Sequence, residues 1–208
     1  MARTRRGRPP TSYARRAPER EPYDVVLIVC EGEKTEPYYF EGLRRAWGLS
    51  SANIRVRSAG ASDPLSLVQF ALAEMRSGDY DRGFCVFDRD THAGFEQALQ
   101  QIAQSLEGRE GRLTEIVSWP CFEVWVLLHF IRTTRAFPAC EQVIREIAKH
   151  YGEYAKAMRN VFDALTDKID VAIANADHLE NHNRDTGSYN PATAIHTLIK
   201  YLRGLKRP

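Results

Sequence analysis

Val25-Val26-Leu27-Ile28-Val29-Cys30-Glu31-Gly32-Glu33-Lys34-Thr35-Glu36 runs through six apolar residues and stops at three carboxylates and a glycine. Six apolar positions without alternation predict a strand covered on both faces, the habit of parallel sheets. Gly32 permits a sharp turn beside the first acid. Lys34, Thr35, Glu36 and Pro37 read as a helix start, with Thr35 able to cap and Pro37 tolerated in the first turn. A solvated acidic loop between strand and helix shares this chemistry, so the assignment turns on whether a second strand also ends in acids.

Working outward, Tyr38, Tyr39, Leu43 and Trp47 recur at helical spacing and Gly48 follows. Ile54 and Val56 alternate with Arg55 and Arg57, which marks a short, more exposed strand near a sheet edge. Asp63 and Pro64 open a second helix as N-cap and first helical residue, with Leu65, Leu67, Val68, Ala71, Leu72 and Met75 along it and Gly78 at its end. Gly83-Phe84-Cys85-Val86-Phe87 is another continuous apolar run, and it closes on Asp88-Arg89-Asp90. That is the second acidic strand end. Phe95 to Leu106 forms a third helix, and Leu113 to Val117 a fourth strand ending at Ser118-Trp119-Pro120.

Strand and helix alternate throughout this half, which predicts an α/β fold with a parallel sheet, helices on both faces, and functional groups at the carboxyl ends of the strands. Beyond Pro120 the period turns helical. Phe122 to Ile131 is apolar nearly all round, and further helices are expected at about 139–151, 154–165 and 169–181, then a polar turn at 183–190 and a last helix from Pro191. The expected organisation is a basic arm over 1–22, an α/β core over 23–120, and a helical extension over 121–208 packed on the core.

The chain has 208 residues, 43% of them hydrophobic, enough for one good core. Its net charge of +2 is unevenly spread, since residues 1 to 20 hold seven arginines against Glu19 alone. With few aliphatic residues to bury, this arm is expected to be disordered when free. Its guanidinium groups suit phosphate contact; an organelle presequence and a solubilising tail share the composition. Cys30, Cys85, Cys121 and Cys140 lie far apart without Cys-x-x-Cys spacing, which disfavours zinc. Two lie in predicted buried strands and no signal peptide precedes the domain, so a reducing cytoplasm is the expected location. No apolar run reaches the length of a membrane span.

In a parallel sheet Glu31 and the pair Asp88/Asp90 arrive at one edge. Clustered carboxylates repel, and a hard divalent cation, Mg²⁺ or Mn²⁺, relieves the repulsion; such a site can polarise a phosphoryl oxygen and activate water. Asp90 is also suited to cap the next helix. Glu36, in a first helical turn, is favoured by the helix dipole and can face the metal, whereas Glu33 reads as solvated. Lys34, Arg89 and Arg184 are candidates to hold phosphate, with solvated cations the competing reading. His129 reads as a core histidine, and His178 and His182 as surface residues.

Cys30-Glu31-Gly32 followed 57 positions after Glu31 by Asp88-Arg89-Asp90 resembles a TOPRIM domain, a Rossmannoid fold that carries a glutamate after its first strand and Asp-x-Asp after a later one. The fuller strings Cys30 to Phe40, Ser118-Trp119-Pro120-Cys121-Phe122-Glu123-Val124-Trp125 and Asn190-Pro191-Ala192-Thr193 resemble the RloB family, across residues 24 to about 203. The resemblance implies a Mg²⁺-dependent nuclease of a bacterial anti-phage or abortive-infection system, acting on RNA or DNA and paired with an ABC-type ATPase. It implies Glu31 as general acid/base or metal ligand and Asp88 and Asp90 as ligands. The related OLD nucleases place a second metal-binding glutamate four residues after the first; here that position is Thr35 and the acid falls one later, at Glu36. Glu123 follows the family's Pro-Cys-Phe-Glu string and opens a buried helix, where an unpaired charge is costly, so it is expected to face the acids as an outer ligand. Ser118 is expected to touch substrate.

Asp88-Arg89-Asp90-Thr91 also invites comparison with haloacid-dehalogenase phosphatases, but the acids follow a later strand and His92 stands where a threonine is required. A topoisomerase or primase would need a further domain. The non-enzymatic alternative is a TOPRIM-like scaffold that binds nucleic acid and an ATPase without cutting.

Overall fold

The computed structural model describes residues 24–51, 53–60, 63–89, 94–106 and 113–205. Asp90 and the basic arm therefore lie outside the described residues. Four parallel strands carry the α/β half: β1 (Val26–Cys30), β2 (Ile54–Ser58), β3 (Arg82–Asp88) and β4 (Leu113–Trp119). Between them run α1 (Thr35–Ala46), α2 (Pro64–Ser77) and α3 (Phe95–Leu106). The sheet order is β2-β1-β3-β4-β5, where β5 (Ala192–Thr193) pairs antiparallel with the end of β4.

β1 occupies the interior of the sheet, and all five of its residues are buried. Its side chains alternate between two cores. Val26, Ile28 and Cys30 join Tyr39 and Phe40 of α1 and the C-terminal helices, while Leu27 and Val29 pack with α2 and α3. This is why the run lacks polar alternation. β2, with its interleaved arginines, is the edge strand expected.

Local chemistry fixes the helix ends. Asp63 Oδ1 accepts from Ser66 N at 2.9 Å, capping α2, and Pro64 takes the first helical position. Gly48 turns the chain out of α1 with φ +65°, a conformation that costs glycine nothing. Thr35 does not cap α1; its Oγ1 accepts a hydrogen bond from Ala157 N at 3.0 Å, tying the helix start to the C-terminal half.

The C-terminal half comprises α4 (Glu123–Leu128), α5 (Cys140–His150), α6 (Val161–Leu165), α7 (Ile169–Thr186) and α8 (Ile195–Gly204), with a 3₁₀ turn before α7. Three expectations are corrected. Residues 154–160 are irregular, so the helix expected from Tyr154 begins only at Val161; Ala157 sits at φ +65° there, which no right-handed helix admits. The helix expected to end near Asn181 continues to Thr186, until Gly187 adopts the left-handed conformation. The last helix does not start at Pro191, because Ala192 and Thr193 form β5 first.

Gly42 sets how closely α1 and α6 approach. A Cβ on Gly42 would stand 2.7 Å from Phe162 Cβ, on a side chain packed in the core. Gly42→Val is expected to cost about 2 kcal/mol by overpacking, seen as a lower urea midpoint; an unchanged midpoint would show that the helices can separate freely.

Candidate functional site

Four elements bring carboxylates to the carboxyl end of the sheet. Glu31 leaves β1 with its backbone N donating to Val86 O at 2.9 Å, so the chain stays in register with β3 one residue past the strand. Its Oε2 then accepts from the backbone N of Asp88 at 3.0 Å. The first acid thus braces the backbone that carries the second.

Glu36, in the first turn of α1, points back over Gly32. A Cβ at Gly32 would lie 2.2 Å from Glu36 Oε2, so the missing side chain makes room for the carboxylate. Glu36 is 8% exposed, and its pKa is raised to about 7, by burial first and then by the Glu123 and Glu31 charges. Asp88 is pushed well above the usual carboxylate range, by burial and by Glu36, Glu123 and Glu31. Each acid feels the others.

Glu123 opens α4 and is 3% exposed. Tyr154 Oη donates to its Oε1 at 3.4 Å, and Lys156 Nζ lies 3.7 Å from the same oxygen. The unpaired-charge cost of burial is met in this way. At the start of α1, Thr35 turns to Ala157, and Glu36 is the residue that reaches the acids.

The remaining candidates separate. Lys34 is exposed at the start of α1. Arg89 turns away from the acids, its guanidinium 4.5 Å from the centre of the Trp119 ring and 5.1 Å from that of Phe95. Arg184, on α7, lines the same cleft as Arg89 and donates to Asn181 Oδ1 at 2.9 Å. Ser118 is buried and shares its hydroxyl with Thr193 Oγ1 at 2.9 Å, a cross-strand tie between β4 and β5 rather than a group held out to substrate. His129 is in the core as expected: Nδ1 lies 2.9 Å from Trp125 O, and burial lowers its pKa to about 4.

Tyr154 and Lys156 were not legible as site residues, since they stand in an irregular stretch with no motif. The cysteines need a correction as well. Cys30 and Cys85 are free and buried, but Cys121 and Cys140 form a disulfide that links the segment before α4 to the first residue of α5. Helix packing brings them together across 19 residues, a spacing that carries no sequence signature. Cys140 Sγ lies 3.1 Å from Glu123 Oε2, and in the disulfide it has no proton to donate.

Among the described residues, two groups have possible ligand atoms all within 4.8 Å: Cys121, Glu123 and Cys140, and Asp177, Glu180 and His196. In the first the sulfurs are joined. In the second Lys200 already pairs with Asp177, and His196 Nε2 rests between the two acids. No three of Glu31, Glu36, Asp88 and Glu123 are drawn that tightly. Their donor set is nevertheless all oxygen and carries mutual repulsion, which suits a hard cation.

A sequence model of the RloB-like protein family matches residues 26–202, spanning every strand and helix that contributes to the acids. The chain belongs to the RloB-like family. No curated protein matches it. Within this RloB-like chain the matched span takes in Glu31, Glu36, Asp88, Glu123, Tyr154 and Lys156 alike. No helix among the described residues is long and apolar enough to cross a membrane.

Proposed function

We propose that this RloB-like protein is a divalent-metal-dependent nuclease that hydrolyses phosphodiester bonds in RNA, such as tRNA, or in DNA. One observation carries the reading: acids from β1, α1, β3 and α4 converge where a parallel sheet gathers its functional groups, close enough that the charges of Glu31 and Glu123 help raise the proton affinity of Glu36 and Asp88. Simple surface acids would stand apart in water and keep ordinary values.

Glu31, Glu36 and Asp88 would hold Mg²⁺ or Mn²⁺, with Glu123 as an outer ligand and with Asp90, two residues after Asp88 in the sequence, as a further candidate. When bound, such an ion polarises a phosphoryl oxygen and lowers the pKa of a water. The chain's own contribution is placement. Glu31 fixes the Asp88 backbone, and Tyr154 and Lys156 hold Glu123. Without a metal, burial and the neighbouring acids raise Glu36 to about 7, and the positive charge of a bound ion would relieve that repulsion. Lys156, 56% exposed beside the cluster, offers a cation for phosphate. Control by an ABC-type ATPase and a role in anti-phage defence fit the family resemblance and belong to the same proposal.

The test is incubation of the purified full chain with labelled single-stranded DNA, duplex DNA and tRNA, each with Mg²⁺, Mn²⁺ or EDTA. Cleavage of at least one substrate, present with metal and abolished by EDTA, is the expected result. Cleavage indifferent to EDTA, or none with any substrate and metal even when the ABC-type ATPase partner is supplied, would overturn the nuclease reading in favour of a binding scaffold.

A further inference from the structure

The two oxygens of Glu123 meet different partners. Oε1 accepts from Tyr154 Oη and has Lys156 Nζ beside it. Oε2 stands 3.1 Å from Cys140 Sγ, which in the disulfide carries no proton. A buried carboxylate oxygen set against a sulfur that cannot donate is costly. Cys121, two residues ahead of Glu123, is equally buried, and Cys140 is half-buried at the first residue of α5. Two sulfurs and a carboxylate oxygen therefore meet at one point, all within 4.8 Å of one another.

Opening the disulfide changes what that point can hold. A dithiol reductant supplies the two electrons: its thiolate attacks the sulfur of Cys140, the less buried residue, and expels Cys121 as a thiolate. The reductant's second thiol then closes on the mixed disulfide and releases Cys140, so that two thiols remain here and one disulfide on the reductant. A divalent ion can replace the two thiol protons, which pass to solvent, and form two bonds to sulfur and one to Glu123 Oε2. Zn–S bonds of about 2.3 Å at a tetrahedral angle set the sulfurs about 3.7 Å apart. They need only move from bonded to ordinary contact.

Thiolates disfavour Mg²⁺ and select a softer ion such as Zn²⁺, which separates this point from the all-oxygen cluster of Glu31, Glu36 and Asp88. We propose that in the dithiol state Cys121, Cys140 and Glu123 Oε2 bind one Zn²⁺, with water in the fourth position, and that this ion takes over from the disulfide in tying the segment before α4 to α5. Two thiolates and a carboxylate leave one negative charge in excess of the ion, and Lys156 stands beside Glu123 to offset it. Tyr154 and Lys156 hold Oε1 and so fix the carboxylate that turns Oε2 to the metal, the part that outer partners play at metal sites. The site is independent of the nuclease reading and stands or falls without it.

The test uses the full chain, reduced with a phosphine, freed of reductant under argon and titrated with Co²⁺, which occupies zinc sites and reports its ligands in its spectrum. Excess Mg²⁺ is present throughout to fill all-oxygen sites. The reduced chain should show a thiolate-to-cobalt charge-transfer band in the near ultraviolet that saturates at one ion per chain and disappears when Zn²⁺ is added. Cobalt held by oxygen alone lacks this band, and the oxidised chain, identical in sequence, should not show it. Cys121→Ser and Cys140→Ser should each weaken Co²⁺ about a hundredfold or more, since an outer-shell partner alone is worth up to about that much. Cys85→Ala, in the core on the other face of the sheet, should leave the band intact. No charge-transfer band from the reduced chain, an equal band from the oxidised chain or from both serine variants, or a disulfide that opens only as circular dichroism records unfolding, would overturn the proposal.

Discussion

Asp88→Asn is expected to lower metal-dependent cleavage about a thousandfold, because a charge that positions a catalytic cation is worth several kcal/mol in the transition state and each 1.36 kcal/mol is tenfold. The substitution is nearly isosteric, and the hydrogen bond from Asp88 to Glu31 uses the backbone N, which asparagine retains. Glu31→Gln should behave in the same way. Glutamine keeps an oxygen able to accept from that N–H, so the variant separates charge from bracing. Alanine at either position would confound the two. The measurement is the initial rate at saturating Mg²⁺, set beside the thermal midpoint of each variant. Rates within tenfold of wild type, with folding unchanged, would remove these acids from the chemistry.

Glu36→Gln is expected to stabilise the metal-free protein at pH 8 while impairing its response to metal. In the unfolded chain this carboxyl ionises near 4.5, whereas in the folded protein it holds its proton to about 7. The folded state therefore binds more protons between those values, and stability must fall as pH rises from about 4.5 to about 7. Below that window the contribution is fully present; above it the loss is constant and on the order of 3 kcal/mol. Glutamine is neutral throughout and escapes this loss. The wild type should accordingly lose more thermal stability than the variant between pH 5 and pH 8. Part of the slope should persist in the variant, since Asp88 is raised as well. Mg²⁺ at pH 8 should recover more stability in the wild type, because a ligand of the folded state alone shifts the midpoint in proportion to its binding. Superimposable pH profiles for the two proteins would count against a repelling acid cluster.

The centre of the sheet was legible because β1 and β3 each announce themselves twice, by an apolar run and by the acidic turn that follows. Val25 to Cys30 needs no partner to be read, and Asp63-Pro64 specifies a helix start on its own. β5 escaped because two residues carry no period; Ala192 and Thr193 are a strand only because β4 lies beside them. The segment from Tyr154 misled for a related reason. Tyr154 and Met158 have helical spacing, but Tyr154 is held by Glu123 and the Ala157 amide by Thr35, contacts from distant parts of the chain that override local preference. The site divides along the same line. Glu31 and Asp88 are visible as strand ends, Glu36 becomes a partner only when α1 folds back over Gly32, and Lys156 has no local signal at all.

The two-sided burial of the sheet bears on how small a working fragment of this protein can be. Val26, Ile28, Cys30, Phe84, Val86 and Ile116 all belong to the core built with α4 to α8. A chain ended at Pro120 would leave that face covered by α1 alone and would lose Glu123, Tyr154 and Lys156 with it. The C-terminal half is thus no accessory that could be trimmed, exchanged or grown independently. Any shortened version that keeps the acids must keep both halves, and the economical place to cut is outside the matched span of 26–202.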